Sequence, residues 1–532
     1  MNYLGLYFLL KTGLYYTHSI GFHWIPNLLL ALLAFWPLQP GLWRRLRPWV
    51  LWPAAIALLY YDAYLPSIER VWSQIGAISG FSNEYLLELL GRIFQPAEMA
   101  MLLGAIVLYT ILSRWLRFAT FAILAILSVP LVAAINNASA PPTPTPAPTA
   151  TTTSTATTAT NNTATNTTEA SPDAQLQAFY AKENQRRLVF PKPASPPPFD
   201  IVMLHVCSMS WDDLDFVEER NTPLLKRFDL VFSNFNSAAS YSGPAAIRVL
   251  RGTCGQTKEE GLFKEKPEEC ATFPSLAKAG YQTAGLLNHN GIYYSFAKIV
   301  AHEAGLDGRL ESNKEVPVIM NSFDGTPVYD DYALLSRWWT QRQTHSAQPV
   351  ALYYNSITLH DGNRVPGTAS LSSLQTYKPR ITKLLADLDR FVTQLEASGK
   401  PVLLLLIPEH GGALRREKGQ LVDGIREIPD PKISLVPAAI KLVGLKTATQ
   451  GTPPGAPILV DQPVSYFGLF SLVADLLADN PYTAGTIAWN TRLEKLQTTP
   501  FVAQNGDIVV MSDSSGRYIM KSSDGTWVPT GK

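Results

Sequence analysis

The amino-acid sequence predicts N-terminal transmembrane α-helices followed by an α/β domain doubly wound around a mainly parallel sheet. Three observations carry this. From about Phe199 onwards, short apolar runs alternate with segments of helical spacing, the pattern of repeated β-α units. One of those runs, Val402-Leu403-Leu404-Leu405-Leu406-Ile407, is apolar throughout, as a strand buried on both faces requires. Glu409-His410-Gly411-Gly412 follows it, at the end where open α/β sheets place their binding crevice. Before residue 136 the apolar residues gather instead into stretches close to the ~20 residues that cross a bilayer core. With 532 residues and 46% hydrophobic content so unevenly spread, the chain divides into physically different parts.

Residues 1–135 read as a membrane domain with four or five transmembrane helices. Segments 24–43, 48–66, 97–113 and 118–135 are the four strong spans. Segment 2–21 is either a fifth or, because it carries Lys11 and His18, an interfacial helix. Arg44, Arg45 and Arg47 lie between the first two strong spans and Arg114 and Arg117 between the last two, so these connectors belong in the cytoplasm. The long connector 67–96 balances Arg70 and Arg92 against Glu69, Glu84 and Glu88. Everything after Ile135 is then expected on the far side. No small-residue cleavage site precedes the first span, so the helices are expected to stay attached.

Residues 136–197 are expected to form a tether. As far as Ser171 the segment is almost wholly Pro, Thr, Ala, Asn and Ser, with Glu169 as its one acid. It cannot bury enough apolar surface to offset its ordering entropy. The catalytic domain, residues 198–532, follows. Strands are predicted at 201–206, 230–235, 281–287, 350–357 and 402–407, with a further one at 433–443. Between them Ile381, Leu384, Leu385, Leu388, Val392 and Leu395 share one face of a helix over 379–396, as a crossover helix needs. Residues 507–532 read as a short antiparallel addition.

Three cysteines remain. Cys254 and Cys270 flank 15 residues rich in Gly, Lys and Glu, and export places them where disulfides persist, so they are expected to pair. Cys207 is left as a metal ligand or a plain core position. The net charge of +1 gives no reason to invoke nucleic acid.

The chemistry gathers at strand ends. Cys207 closes the first strand of the domain, in His205-Val206-Cys207-Ser208; its thiolate would ligate Zn²⁺, with Glu409 and His410 supplying oxygen and nitrogen from another strand. Ser242, in Ser240-Tyr241-Ser242-Gly243-Pro244-Ala245-Ala246-Ile247-Arg248, is expected at a helix N-terminus. Pro244 suits a first turn there, and free N–H groups favour anionic oxygens. A serine hydroxyl beside a divalent ion ionises readily, which points to a phosphoryl-type transferase or esterase. Taken singly, each residue also has a plainer reading as core residue, helix cap or loop.

The Ser-Tyr-Ser-Gly-Pro-Ala-Ala-Ile-Arg segment, the Leu-Arg-Gly-x-Cys-Gly-Gln that follows, the Val-Cys-Ser strand end and Pro-Glu-His-Gly-Gly together resemble the bacterial cellulose-biosynthesis protein G family. The likeness covers most of the chain outside the low-complexity tether. It implies an alkaline phosphatase-like catalytic domain in the periplasm, anchored in the inner membrane by multi-pass helices. It further implies Ser242 as nucleophile, Zn²⁺ held by Cys207, Ser242, Glu409 and His410, and support of phosphate or acceptor by Tyr241 and His360. Arg426 is matched more weakly, as a phosphate contact or a solvated surface arginine. The likeness also pairs Cys254 with Cys270.

The expected reaction moves the headgroup of phosphatidylethanolamine through a covalent serine ester to glucosyl 6-hydroxyls of cellulose, beside a membrane-embedded cellulose synthase complex. Two rivals stand next to it: phosphoethanolamine transfer to lipid A or another glycan, and a non-catalytic scaffold for a polysaccharide synthase. Sulfatase chemistry is disfavoured, because Ser242-Gly243-Pro244-Ala245-Ala246 lacks the arginine of a Ser-x-Pro-x-Arg context.

Overall fold

The structure is a computed structural model. It describes residues 3–17, 20–37, 39, 41–63, 72, 76, 79–138, 170–192, 197, 199–265, 267–306, 309–344, 348–368, 372–415, 424–445, 456–521 and 525–530. The low-complexity stretch 139–169, His18, Glu69 and Arg70 lie outside the described residues. The chain forms two compact units, one of Met1–Leu65 with Gln95–Ser171, the other of Pro66–Phe94 with Pro172–Lys532.

The first unit contains helices Leu4–Tyr16, Trp24–Phe35, Leu42–Asp62, Pro96–Leu112 and Phe118–Ala138. Leu4, Phe8, Leu30, Ala34, Leu51 and Ile126 form its core. Among the described residues no helix is long and apolar enough to cross a membrane. The expected span over 24–43 in particular ends at Phe35, and a separate helix begins at Leu42 with Arg44, Arg45 and Arg47 in its first two turns. Lys11, read above as an argument for an interfacial helix, is buried instead. Its ammonium lies 2.7 Å from the Asp62 carboxylate, which also contacts His23 and Asn27.

In the second unit the strands are β1 (Asp200–Val206), β2 (Leu230–Asn236), β3 (Gln282–Leu287), β4 (Val318–Asn321), β5 (Pro327–Tyr329), β6 (Val350–Ser356), β7 (Val402–Leu406), β8 (Leu435–Val443) and β9 (Ile458–Val460). Seven of them form the central sheet in the order β3-β6-β1-β7-β8-β2-β9. All its pairings are parallel except those of β8, which is antiparallel to both neighbours. Both faces are covered, which is why β7 is apolar at every position: Leu403, Leu405 and Ile407 enter one core and Val402, Leu404 and Leu406 the other. The crossover helix, Tyr377–Ala397, lays Ile381, Leu384, Leu388, Phe391 and Leu395 on the second of these.

The strand expected from 433 starts at Leu435. Pro431 opens a four-residue helix whose N-cap, Asp430, accepts from the Lys432 and Ile433 amides, a helix start that outcompetes extension. The C-terminal addition is a four-stranded antiparallel sheet: β10 (Val502–Asn505), β11 (Ile508–Ser512), β12 (Tyr518–Lys521) and β13 (Trp527–Pro529).

Two boundaries are corrected. The tether does not reach residue 197: Pro172–Glu183 is a helix, Tyr180 packs on Val502 and Val509, and Phe190 joins the main core. The aromatics that return after Ser171 supply the burial the preceding stretch lacks. Helix Asn83–Ile93, placed by the sequence in the membrane domain, belongs to the second unit.

Cys254 and Cys270 are bonded, with Cα atoms 5.0 Å apart. Replacing both by serine is expected to cost roughly 3 kcal/mol for a loop of this size, read as a lower urea midpoint at unchanged slope.

Candidate active site

The carboxyl ends of β1 and β7 meet the start of helix Ser242–Leu250. Ladder-like bonds carry Cys207 and Glu409 side by side past their strands: the Cys207 amide donates to Ser356 O (2.9 Å) and the Glu409 amide to Val206 O (2.8 Å). Ser208 then turns the chain at a φ of +59°, a conformation a non-glycine residue holds only under constraint. On the other side the Met209 amide donates to His410 O at 2.7 Å.

Cys207, Glu409 and His410 are all buried, and their ligand-type atoms lie within 4.8 Å of one another. Ser242 Oγ stands 3.4 Å from both Cys207 Sγ and His410 Nε2. Its residue opens the helix while the backbone of Tyr241 serves as N-cap without a side-chain bond, so the hydroxyl is not consumed in capping. A Cβ added at Gly243 would meet nothing within 4 Å, which leaves the approach over the helix start open.

The group is electrostatically unsettled by itself. Burial pushes the Cys207 thiol up to about 12 and the Glu409 carboxyl up to about 7, and holds the His410 imidazole well below its usual range. Asn355 donates to Glu409 Oε1 at 2.6 Å, whereas Glu409 Oε2 is buried without a hydrogen-bond donor. His410 Nδ1 lies 2.9 Å from Gly411 O, which makes Nδ1 the protonated nitrogen and turns the Nε2 lone pair towards Cys207 and Ser242. Sulfur, carboxylate, imidazole and hydroxyl converging on one point, with an orphaned carboxylate oxygen among them, fit a Zn²⁺ ion. The four named residues would hold it.

The loop after β7 is fixed from below. Asp213 accepts from the Ser210 amide and hydroxyl and from the Gly412 amide, at 2.9, 2.9 and 2.7 Å. A side chain at Gly411 would meet Ser210 Oγ at 2.6 Å, so the Gly-Gly pair is what lets the loop lie this close.

Tyr241 directly precedes Ser242, and His360 is near enough for its charge to act on His410. The Tyr241 hydroxyl donates to Glu427 Oε1 (2.9 Å). The His360 ring stacks on Phe323, with centroids 4.3 Å apart, and its Nδ1 contacts Asp361 O at 2.6 Å. Burial, reinforced by the Arg426 charge, lowers His360 to about 4. It is therefore a neutral imidazole at pH 7, with the lone pair on its other nitrogen. Arg426 is not a solvated surface arginine: it is 6% exposed, bonds Ser208 Oγ (3.1 Å) and lies over the Tyr241 ring.

Sequence reasoning passed over Asn355, Asp213 and Glu427. Two had signals. Asn355 is a polar residue near the C-terminal end of an apolar strand, and Ser210-x-x-Asp213 is a capping box, formed in the structure on both sides. Glu427 had none.

A doubly wound domain that gathers a serine hydroxyl with a buried thiol, carboxylate and imidazole at its carboxyl edge defines a class, the α/β domains whose polar side-chain cluster sits at the carboxyl ends of a mainly parallel sheet. The chain belongs to the family described as cellulose biosynthesis protein BcsG. That family's C-terminal domain matches residues 155–527 and its N-terminal domain residues 4–131. The chain is 38% identical over 542 residues to cellulose biosynthesis protein BcsG of Escherichia coli (strain K12), covering 99% of this chain and 95% of the relative. It is 35% identical over 545 residues to that of Salmonella typhimurium, with the same coverage. Similar solved structures include the C-terminal periplasmic domain of EcEptC from Escherichia coli in complex with Zn, at 12% identity and TM-score 0.44, covering 60% of this chain and 93% of that one. The integral membrane lipooligosaccharide phosphoethanolamine transferase A of Neisseria meningitidis matches at 13% identity and TM-score 0.39, covering 89% and 95%.

Proposed function

We propose that the chain is a Zn²⁺-dependent phosphoethanolamine transferase of cellulose biosynthesis. It takes the headgroup of phosphatidylethanolamine and delivers it to glucosyl 6-hydroxyls of cellulose. The N-terminal helices hold it in the bacterial inner membrane next to a cellulose synthase complex, with residues 198–532 in the periplasm. The family's name supports the pathway. The observation that carries the chemistry is Ser242 Oγ at 3.4 Å from both Cys207 Sγ and His410 Nε2, at a helix start that suits a phosphate.

Zn²⁺ held by Cys207, Ser242, Glu409 and His410 would lower the pKa of the Ser242 hydroxyl and polarise a phosphoryl oxygen. Ser242 Oγ bonds to phosphorus as the bond from phosphorus to the glyceryl oxygen breaks, and the proton that Ser242 gives up ends on that glyceryl oxygen, so that diacylglycerol leaves as the neutral alcohol. The glucan hydroxyl then attacks the phosphoethanolamine ester, giving its proton to the free nitrogen of His360. The bond from phosphorus to Ser242 breaks, and the serine is reprotonated. Arg426 and the Tyr241 hydroxyl orient the phosphoryl oxygens.

The test is intact-mass analysis of the full-length protein after incubation with phosphatidylethanolamine vesicles. One added phosphoethanolamine group, mapped to the Ser242 peptide and discharged by soluble glucan oligomers, is the expected result. Diacylglycerol release without any adduct would overturn the covalent route.

A further inference from the structure

Helix Asn83–Ile93 is separated in sequence from the catalytic residues by the low-complexity stretch, yet it packs on the two loops that carry His360 and Arg426. Arg92 grips the Asp361 carboxylate with both arms, Nη1 to Oδ2 and Nη2 to Oδ1, each at 2.8 Å. The Tyr85 hydroxyl donates to Oδ2 at 2.9 Å, and the Ser373 hydroxyl bonds Oδ1. Burial alone would raise the Asp361 acid; these donors outweigh it and hold the carboxyl well below the usual range. Asp361 is the residue next to His360, and its carbonyl is the partner of His360 Nδ1.

Both loops are shaped for this helix. Gly362 has φ +84°, and a Cβ there would meet Phe323 at 2.6 Å and the Tyr85 ring at 2.9 Å. Gly424, at φ +81°, would bring a Cβ within 2.7 Å of Arg92 Nη1 and 3.3 Å of Asp361 Oδ2. Only glycine at these two places lets the helix descend so far. An aromatic chain makes the same connection: Phe81, just before the helix, meets the Phe323 ring edge-on at 5.8 Å, and Phe323 stacks on His360.

We propose that Arg92 is a positioning residue of the catalytic site, setting His360 through Asp361 and the Arg426 loop through its contact at Gly424. The catalytic unit is thus incomplete without a helix encoded ahead of the low-complexity stretch. This rests on the proposed role of His360, and it adds that the amino-terminal sequence does more than anchor. A severed bidentate pair leaves Asp361 buried and uncompensated, and a catalytic group displaced by about 1 Å loses up to about 100-fold in rate.

The experiment uses the full-length protein in lipid nanodiscs, comparing wild type, Arg92→Ala and Arg92→Lys. Transfer kinetics are read together with hydrogen exchange over residues 357–364 and 424–428. Arg92→Ala is expected to lower kcat by about 10- to 100-fold with KM for the lipid within about twofold, since no substrate contact is removed. Exchange in both loops should rise, and added guanidinium should restore part of the rate. Arg92→Lys, a point charge without the fork, should fall between; if the alanine variant does not fold, the lysine variant carries the comparison. Wild-type kcat in these variants, or lost activity with unchanged exchange in both loops, overturns the inference. Should the wild-type protein itself transfer no headgroup, the proposed function fails, while the exchange comparison still decides this one.

Discussion

Ser242→Ala is expected to abolish headgroup transfer, by on the order of 10⁴-fold or more in kcat, and to leave the fold intact. The two halves of that expectation have separate causes. The hydroxyl is partly buried at the first residue of its helix and caps nothing, so deleting it strands no backbone group and is expected to cost within about 1 kcal/mol. Chemically nothing replaces it. A second hydroxyl at the group, Ser208 Oγ, is 3.2 Å from Cys207 Sγ but is held by Arg426 on a residue at positive φ. Intact mass should show no adduct on the variant, and its thermal midpoint should match wild type. Retained glucan modification with a wild-type midpoint would mean that the serine is not the nucleophile and that the group around it serves another purpose.

What the sequence reveals of this site follows from how locally each feature is encoded. The β7 strand and its Glu409-His410 end are legible because a strand covered on both faces must be apolar throughout, and a charged pair immediately after it has few places to go. Ser242 is legible from the Gly-Pro that follows it. The antiparallel direction of β8 is not, since a strand buried on both faces has the same composition whichever way it runs. Nor is helix Asn83–Ile93: its Glu88 and Arg92 read only as balancing charges in a connector, and the folded chain pairs Glu88 with Arg364 and Arg92 with Asp361 as well as with each other. Contacts across more than 250 residues leave no periodicity to read. The tether ends earlier than residue 197 for a milder reason: Phe179, Tyr180 and Phe190, soon after Ser171, supply a buried face.

Metal removal is the second large effect, and protons make it measurable without any assay of transfer. In the metal-free protein at pH 7 the Cys207 thiol, pushed up to about 12, is protonated, and the Glu409 carboxyl, at about 7, is near half protonated. Zn²⁺ requires both deprotonated. Binding at pH 7 should therefore release between one and two protons, which calorimetry in buffers of different ionisation enthalpy can count. Affinity should fall as pH is lowered. The sign for stability runs the other way at Glu409. Its folded pKa is raised above the unfolded value near 4.5, so the metal-free fold is favoured by that group below about 4.5 and loses the contribution as pH rises through about 7. Glu409→Gln keeps the shape and the Asn355 bond but removes the charge. It should bind Zn²⁺ more weakly, release about one proton, and lose that stability loss between pH 4.5 and 7. A variant that still releases the wild-type number of protons would show that Glu409 is not a ligand. Chelation of the wild-type protein should in turn suppress adduct formation on Ser242 and be reversed by added Zn²⁺, because the buried thiol and carboxylate lose the one charge that makes their proximity favourable.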